Sequence, residues 1–362
     1  MVKKEVLELK KRFTNDNHNF DRISGCYVNG EKEKIATFSK SFLNLDEDIM
    51  PRYLDIAKKC LSGKLGNNLI ELEFPLEEEK VGGVQHSLLA LRDSKLNNDD
   101  LLNSYYDHII DTYEYVGNYL ILLLHGVYDV PGKGSDGADM EESEVVYEYI
   151  LGAICPVELG KDTLGYLAED TTIGLVKGQW SVKAPETAFL FPTFTDRSSD
   201  IHATLMYTKN TMEPHTEFMK SIMACEEVET EDIVRDTFDT MVKQAVKLNC
   251  ANEEEVEDTL LMVHQELWNE LESHNATYKG TTDEDILKID DDMLEKVLEN
   301  VGIDSDVIAT ITTDFKKSYK DKDIYVSKLV DEKKLNKEAL KIENKMLKEK
   351  IKVLTEKLNQ QG

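Results

Sequence analysis

Hydrophobic positions recur at helical spacing in some parts of this chain, run unbroken in others, and settle into a four-three rhythm at the end. Residues 3–13 read as a short charged helix. Residues 47–62 read as another, with Pro51 in the first turn, where a missing N–H costs nothing. Across residues 97–115, Leu101, Leu102, Tyr105, Ile109, Thr112 and Tyr113 fall close to one helical face. "GNYLILLLHGVYDV" is too continuously apolar for an exposed strand and predicts a central strand buried on both faces. "VVYEYILGAICPV", "GNNLIELEFP", "TAFLFPTF" and "IHATLMYT" supply further strands. Asn29-Gly30 between two strand-like runs predicts a tight type I′ hairpin.

After about residue 213 the strand signals stop. Residues 213–223, 229–249 and 253–273 read as helices with acidic starts, and "NATYKGTTDED" reads as a linker. Asp290 to Asp292 then cap a helix that Gly302 ends, and Asp304 caps the next. The expected fold class is α+β: a mainly antiparallel mixed sheet with flanking helices, then an α-helical region, then a C-terminal heptad helix. The expected units are 1–212, 213–275, 283–320 and 325–362.

The last stretch carries Leu340, Asn344, Leu347, Ile351, Leu354 and Leu358 at alternating spacings of four and three. That is a heptad seam, and a lone Asn at an a position favours a two-stranded parallel register. Ile342, Met346 and Val353 form a second apolar line, so packing on the chain's own body stays open beside pairing between chains.

Charge sharpens this reading. The chain of 362 residues has a net charge of -28. Such a surface repels nucleic-acid backbones, so direct binding of DNA or RNA by the body is disfavoured. Residues 328–357 hold ten Lys against six acidic residues, and removing that +4 leaves -32 on the remainder. The basic terminal helix is therefore expected to meet a protein partner or a second copy of the chain. Association with a ribosome or RNA through its lysines is a further reading. Five dispersed cysteines without a CxxC pair point to buried thiols in a reducing compartment. The N-terminus lacks a signal-peptide core, and no apolar run approaches the roughly 20 residues of a membrane helix. A cytoplasmic location without membrane association is the expectation.

Candidate chemistry gathers in "FPTFTDRSSDIHATLMYT". Asp196 and Asp200 offer carboxylates for a divalent cation, His202 a proton-transfer group, and Arg197 an anion-binding group. His125, leaving the buried strand, is a fifth candidate. The alternative is that Asp, Ser and Arg form a charged hairpin tip by bonding locally. "GVYDVPGKGSDG" fails as a phosphate loop, because Gly126 is one residue too far from Gly132-Lys133 and Gly134 stands where Ser or Thr is needed. "TTDEDILKIDDDMLE" lacks the central Gly of a calcium loop. No GxSxG or HExxH pattern is present.

These residues support an interaction or scaffold protein without enzymatic activity or cofactor. The alternative is a metal-assisted hydrolase acting on a phosphate-containing substrate through residues 196–202. The segments "LKKRFTNDNHNFDRISGCYVNGEKEKI", "LGNNLIELEFPL", "LLALRDSKL", "GNYLILLLHGVYDVP" and "FPTFTDRSSDIHATLMYTK" together resemble a bacterial domain of unknown function family, family 4317, over residues 3–330. The resemblance implies a bacterial cytosolic protein and brings no activity or site residue with it. Beyond "LVDEKK" the family is expected to become strand-rich, whereas this chain enters its heptads.

Overall fold

The unbroken apolar run "YLILLL" becomes the middle of a strand that serves two cores. Leu120, Leu122 and Leu124 join one hydrophobic cluster, and Tyr119, Ile121 and Leu123 join another. Strand side chains alternate between faces, so a strand covered on both sides has no polar position to spare. A computed structural model of the chain describes residues 1–132, 145–169, 171–247, 249–280, 285–320 and 322–337. The chain forms two compact units, Met1–Thr230 and Glu231–Gly362.

The first unit is built from α1 (Lys3–Lys10), β1 (Phe20–Val28), β2 (Lys34–Ser41), α2 (Met50–Cys60), β3 (Leu69–Glu73), α3 (Val84–Asp93), α4 (Asp99–Thr112), β4 (Asn118–Val130) and β5 (Val145–Leu159). Then come β6 (Thr163–Leu167), β7 (Thr172–Val176), β8 (Trp180–Val182), β9 (Thr187–Phe191), β10 (Thr193–Thr195), β11 (Ser198–Asp200) and β12 (Ala203–Thr208). An eight-stranded sheet runs β2-β1-β4-β5-β9-β12-β3, with β8 pairing β5 off that path. Its strand pairs are antiparallel. The α+β class with a mainly antiparallel sheet is thus observed. Apolar residues of α1 and α2 belong to one core, and those of α3 and α4 to the other.

Several local expectations are corrected. The Asn29-Gly30 turn is a five-residue loop in which Lys32, not Asn29 or Gly30, is left-handed at φ 63. The Asn29 side chain accepts from the Glu31 and Glu33 N–H groups at 3.0 and 2.9 Å, an Asx arrangement that holds the longer loop. Residues 213–223 do not form one α-helix; only residues 216–222 are helical, with Phe218–Ile222 a π turn closed by Met223 N–H to Phe218 O at 2.9 Å. Pro214 and the left-handed His215 delay its start. These residues fall in the first unit, whose end at Thr230 lies 18 positions beyond the boundary expected at 212.

The second unit packs α5 (Glu231–Val246), α6 (Glu253–Tyr278), α7 (Asp291–Val301), α8 (Ser305–Ser318) and α9 (Val326–Leu329) around one core. Phe238, Leu267, Leu294, Ile311 and Leu329 share that cluster, so the segments expected as separate units at 213–275 and 283–320 meet in it. Residues 275–278 of the expected linker complete α6. Asp290 caps α7 by accepting from Met293 N–H at 2.9 Å, and Gly302 ends it at φ 87. Asp304 occupies the cap position of α8 but makes no capping bond; it accepts from Asn249 instead, at 2.8 Å. The heptad positions Leu340, Asn344, Leu347, Ile351, Leu354 and Leu358 lie outside the described residues. Among the described residues, no helix is long and apolar enough to cross a membrane.

Candidate functional site

The knot in "FPTFTDRSSDIHATLMYT" is a hairpin. β10 and β11 pair with Thr195 opposite Ser198, leaving Asp196-Arg197 as a two-residue turn. Both residues are left-handed, at φ 50 and φ 57, which is the type I′ geometry that matches strand twist. Phe194 anchors the hairpin, with its ring centroid 4.7 Å from that of Tyr147 and 5.9 Å from that of Tyr128. The turn sends Arg197 towards α1. Its Nη2 donates to Glu8 Oε1 at 2.9 Å, and the Tyr128 hydroxyl donates to the same oxygen at 2.8 Å. Arg12 donates to the Tyr128 hydroxyl at 3.3 Å and lies 5.0 Å from its ring centroid, in a cation–π contact.

Around this junction lies a groove of about 710 Å³ lined by Lys3, Lys4, Leu7, Glu8, Lys11, Arg12, Asn17 and Arg197. Helix α1 is amphipathic: Val6 and Leu9, followed by Phe13, are buried in the core, while Lys3, Leu7 and Lys11 share a face at spacings of four. Five cationic side chains meet one carboxylate here, in a chain with 71 acidic and 43 basic residues. Burial works against the Arg197 charge, but the hydrogen bond and charge of Glu8 outweigh it and raise its pKa. Burial and the Glu8 carboxylate push the Tyr128 phenol up, consistent with its donor role. The Arg197 Nε is buried without an acceptor among the described residues. Lys3, Lys4, Lys11 and Arg12 have no carboxylate within ion-pair distance among those residues.

The other candidates go elsewhere. Asp196 is exposed at the tip. Asp200 Oδ1 accepts from the backbone N–H of His202 at 3.0 Å, and the His202 ring faces Glu79 Oε1 at 2.6 Å. That hydrogen bond, with the Glu79 charge, raises the His202 pKa. His125 is fully buried between strands: Nδ1 lies 2.6 Å from Asp21 on β1, and Nε2 lies 2.9 Å from Glu148 on β5. With a carboxylate at each ring nitrogen, both nitrogens already have partners within the sheet. Arg197 therefore answers to Glu8, His202 to Glu79, and His125 to Asp21 and Glu148, with no carboxylate shared among the three. Among the described residues, no group of three or more His, Cys, Asp or Glu side chains is placed to hold a metal ion.

Sequence reasoning singled out Arg197 and overlooked its surroundings. The signal in the sequence is a helix whose solvent face is basic in an acidic chain. Four of the five cysteines are buried without disulfides, and burial raises Cys26 to about 11 and Cys155 and Cys225 to about 12. These thiols are packing groups and not nucleophiles.

No curated protein shows significant similarity to the chain. A family model, described as a domain of unknown function, DUF4317, matches residues 1–361. The match takes in the heptad stretch, where a departure from the family was expected. With this coverage, the chain belongs to the DUF4317 family.

Proposed function

We propose that the protein is a non-enzymatic binding protein whose first unit takes a phosphate-bearing anion in the groove beneath Arg197. The observation that carries this reading is the unbalanced charge of that groove. Lysines and arginines crowded together repel one another, and an acidic chain has carboxylates to spare for neutralising them. Here one carboxylate, Glu8, is already shared between Arg197 and Tyr128. Lys3, Lys4, Lys11 and Arg12 are left to a ligand of opposite charge. Arg197 adds a planar donor fork suited to phosphate oxygens, held in place by the hairpin turn.

The hydrolase alternative has less support, because its acid/base candidates are engaged by separate carboxylates. In the same proposal the protein works in the cytoplasm, where its buried thiols stay reduced, and the basic heptad helix from Leu340 to Leu358 meets a protein partner or a second copy.

Calorimetric titration with tripolyphosphate tests the groove. The wild-type chain is expected to bind it with an affinity that falls as salt rises. Lys4→Gln with Lys11→Gln weakens binding by about tenfold or more while the melting temperature holds. Absence of binding, or binding unchanged by the double substitution, contradicts the proposal.

A further inference from the structure

Strand β5 does not stop where the main sheet stops. Val157–Leu159 pairs with β8, the Gly160 N–H bonds Gln179 O at 3.0 Å, and the Gly178 N–H bonds Asp162 Oδ1 at 2.9 Å. Beyond them β6 and β7 pair with each other in a separate two-stranded sheet. Together these segments make one antiparallel arm continuing from β5. Among the described residues, β6 and β7 make their contacts chiefly with each other.

The register sorts the arm's side chains sharply. Leu164 faces Leu175, Gly165 faces Gly174, and Tyr166 faces Ile173. Directly opposed residues project to the same side, so Leu164, Tyr166, Ile173 and Leu175 form one face. They are exposed by 79, 61, 66 and 58%. On the other face the glycine pair leaves room for neighbouring side chains: a Cβ on Gly165 would meet Val176 at 2.7 Å, and one on Gly174 would meet Leu167 at 2.5 Å. One side of the ribbon thus presents four large apolar groups and no charge.

We infer that this face is a self-association surface, occupied in solution by the same arm of a second copy of the chain. An isolated two-stranded ribbon is at best marginally stable in water, so an arm of this kind gains its order by being covered. The chemistry of the face narrows the cover. It holds no charged group to recognise a nucleic acid or an anion, and a chain of net charge -28 is repelled by an anionic lipid surface. The pattern then points to a twin. A local two-fold axis through the Gly165–Gly174 pair exchanges Leu164 with Ile173 and Tyr166 with Leu175, placing large apolar groups at all four corners. A face with its own two-fold pattern suits an isologous contact. Four side chains more than half exposed present roughly 500 Å² of apolar surface. Two copies would bury about 1,000 Å², at the threshold for a specific interface of micromolar strength.

The test is sedimentation equilibrium of the full chain against the chain carrying Leu164→Glu with Ile173→Glu. Both are also made with Leu347→Asn and Leu354→Asn, so that pairing of the heptad helix does not mask the arm. The expected result is a reversible dimer that the arm substitutions weaken by about tenfold or more, in both backgrounds, with tripolyphosphate affinity and melting temperature held. A wild-type arm that leaves the heptad-substituted chain monomeric up to about 100 µM overturns the inference. So does a dimer indifferent to the arm substitutions, or a monomer that binds neutral vesicles through the arm.

Discussion

Arg197 Nη2 lies 2.9 Å from Glu8 Oε1, joining the tip of a two-residue turn to the first helix across 189 positions of sequence. Both side chains are largely shielded, at 23 and 19% exposure. Glu8→Gln removes the anion that Arg197 and Tyr128 share, and leaves two donors competing for a weaker acceptor. The expected cost is about 1–2 kcal/mol in a thermal or urea melt. The same change takes out of the groove the one carboxylate that lines it among the described residues, so tripolyphosphate should bind more tightly while the fold weakens. Opposite signs from one substitution separate an anion site from a merely structural ion pair, which would lower both.

The left-handed turn makes a separate claim. A β-branched residue at φ 50 is strained, whereas Gly takes that conformation without a Cβ clash. Asp196→Val should destabilise the first unit by about 1–2 kcal/mol, and Asp196→Gly should stay within about 1 kcal/mol of wild type. Equal stabilities for the two variants would rule out the type I′ geometry.

His202 supplies a pH signature. Its pKa is raised, by the hydrogen bond to Glu79 and then by that group's charge. A raised folded-state pKa stabilises below the unfolded value, and that contribution fades as pH climbs through the folded value. Because the ring is exposed, the effect on stability is small, and NMR titration is the better readout. His202 should titrate above the ordinary histidine value, and Glu79→Gln should bring it back.

In the second unit Arg235 is buried and donates to the last turn of α9, through Nε to Leu329 O at 3.1 Å and Nη2 to Lys328 O at 3.4 Å. Nη1 bonds Asp232 at 3.1 Å. Arg235→Met should cost about 2–4 kcal/mol, because two carbonyls and a carboxylate lose their donor together. Hydrogen exchange should show the Val330 N–H losing protection first. Unchanged exchange there would mean that α9 is held by its apolar contacts alone.

How much of this was legible in the sequence depended on how local the cause was. The double-sided burial of β4 was written in six consecutive apolar residues, and the caps of α7 in Asp290 and Gly302. Helix α3 was missed because ten residues give only Val84, Leu88 and Leu91 as a stripe. The arm's alternation of Leu164 with Tyr166 and of Ile173 with Leu175 is visible in the chain, but period two says nothing of whether a face is covered. The meeting of Arg197 with Glu8 has no local trace at all. It follows from the hairpin turn and from the placement of α1 together, and no spacing rule links residues that far apart.

The central claim is that the groove beneath Arg197 holds an anion. NMR of arginine side chains tests it most directly, by following Nε–H resonances as tripolyphosphate is added. The account predicts a saturable shift of the Arg197 resonance, whose Nε is buried without an acceptor among the described residues, and no shift of Arg235 in the second unit. An unmoved Arg197 signal at ligand concentrations that saturate the calorimetric titration, or equal movement of both arginines, would contradict it.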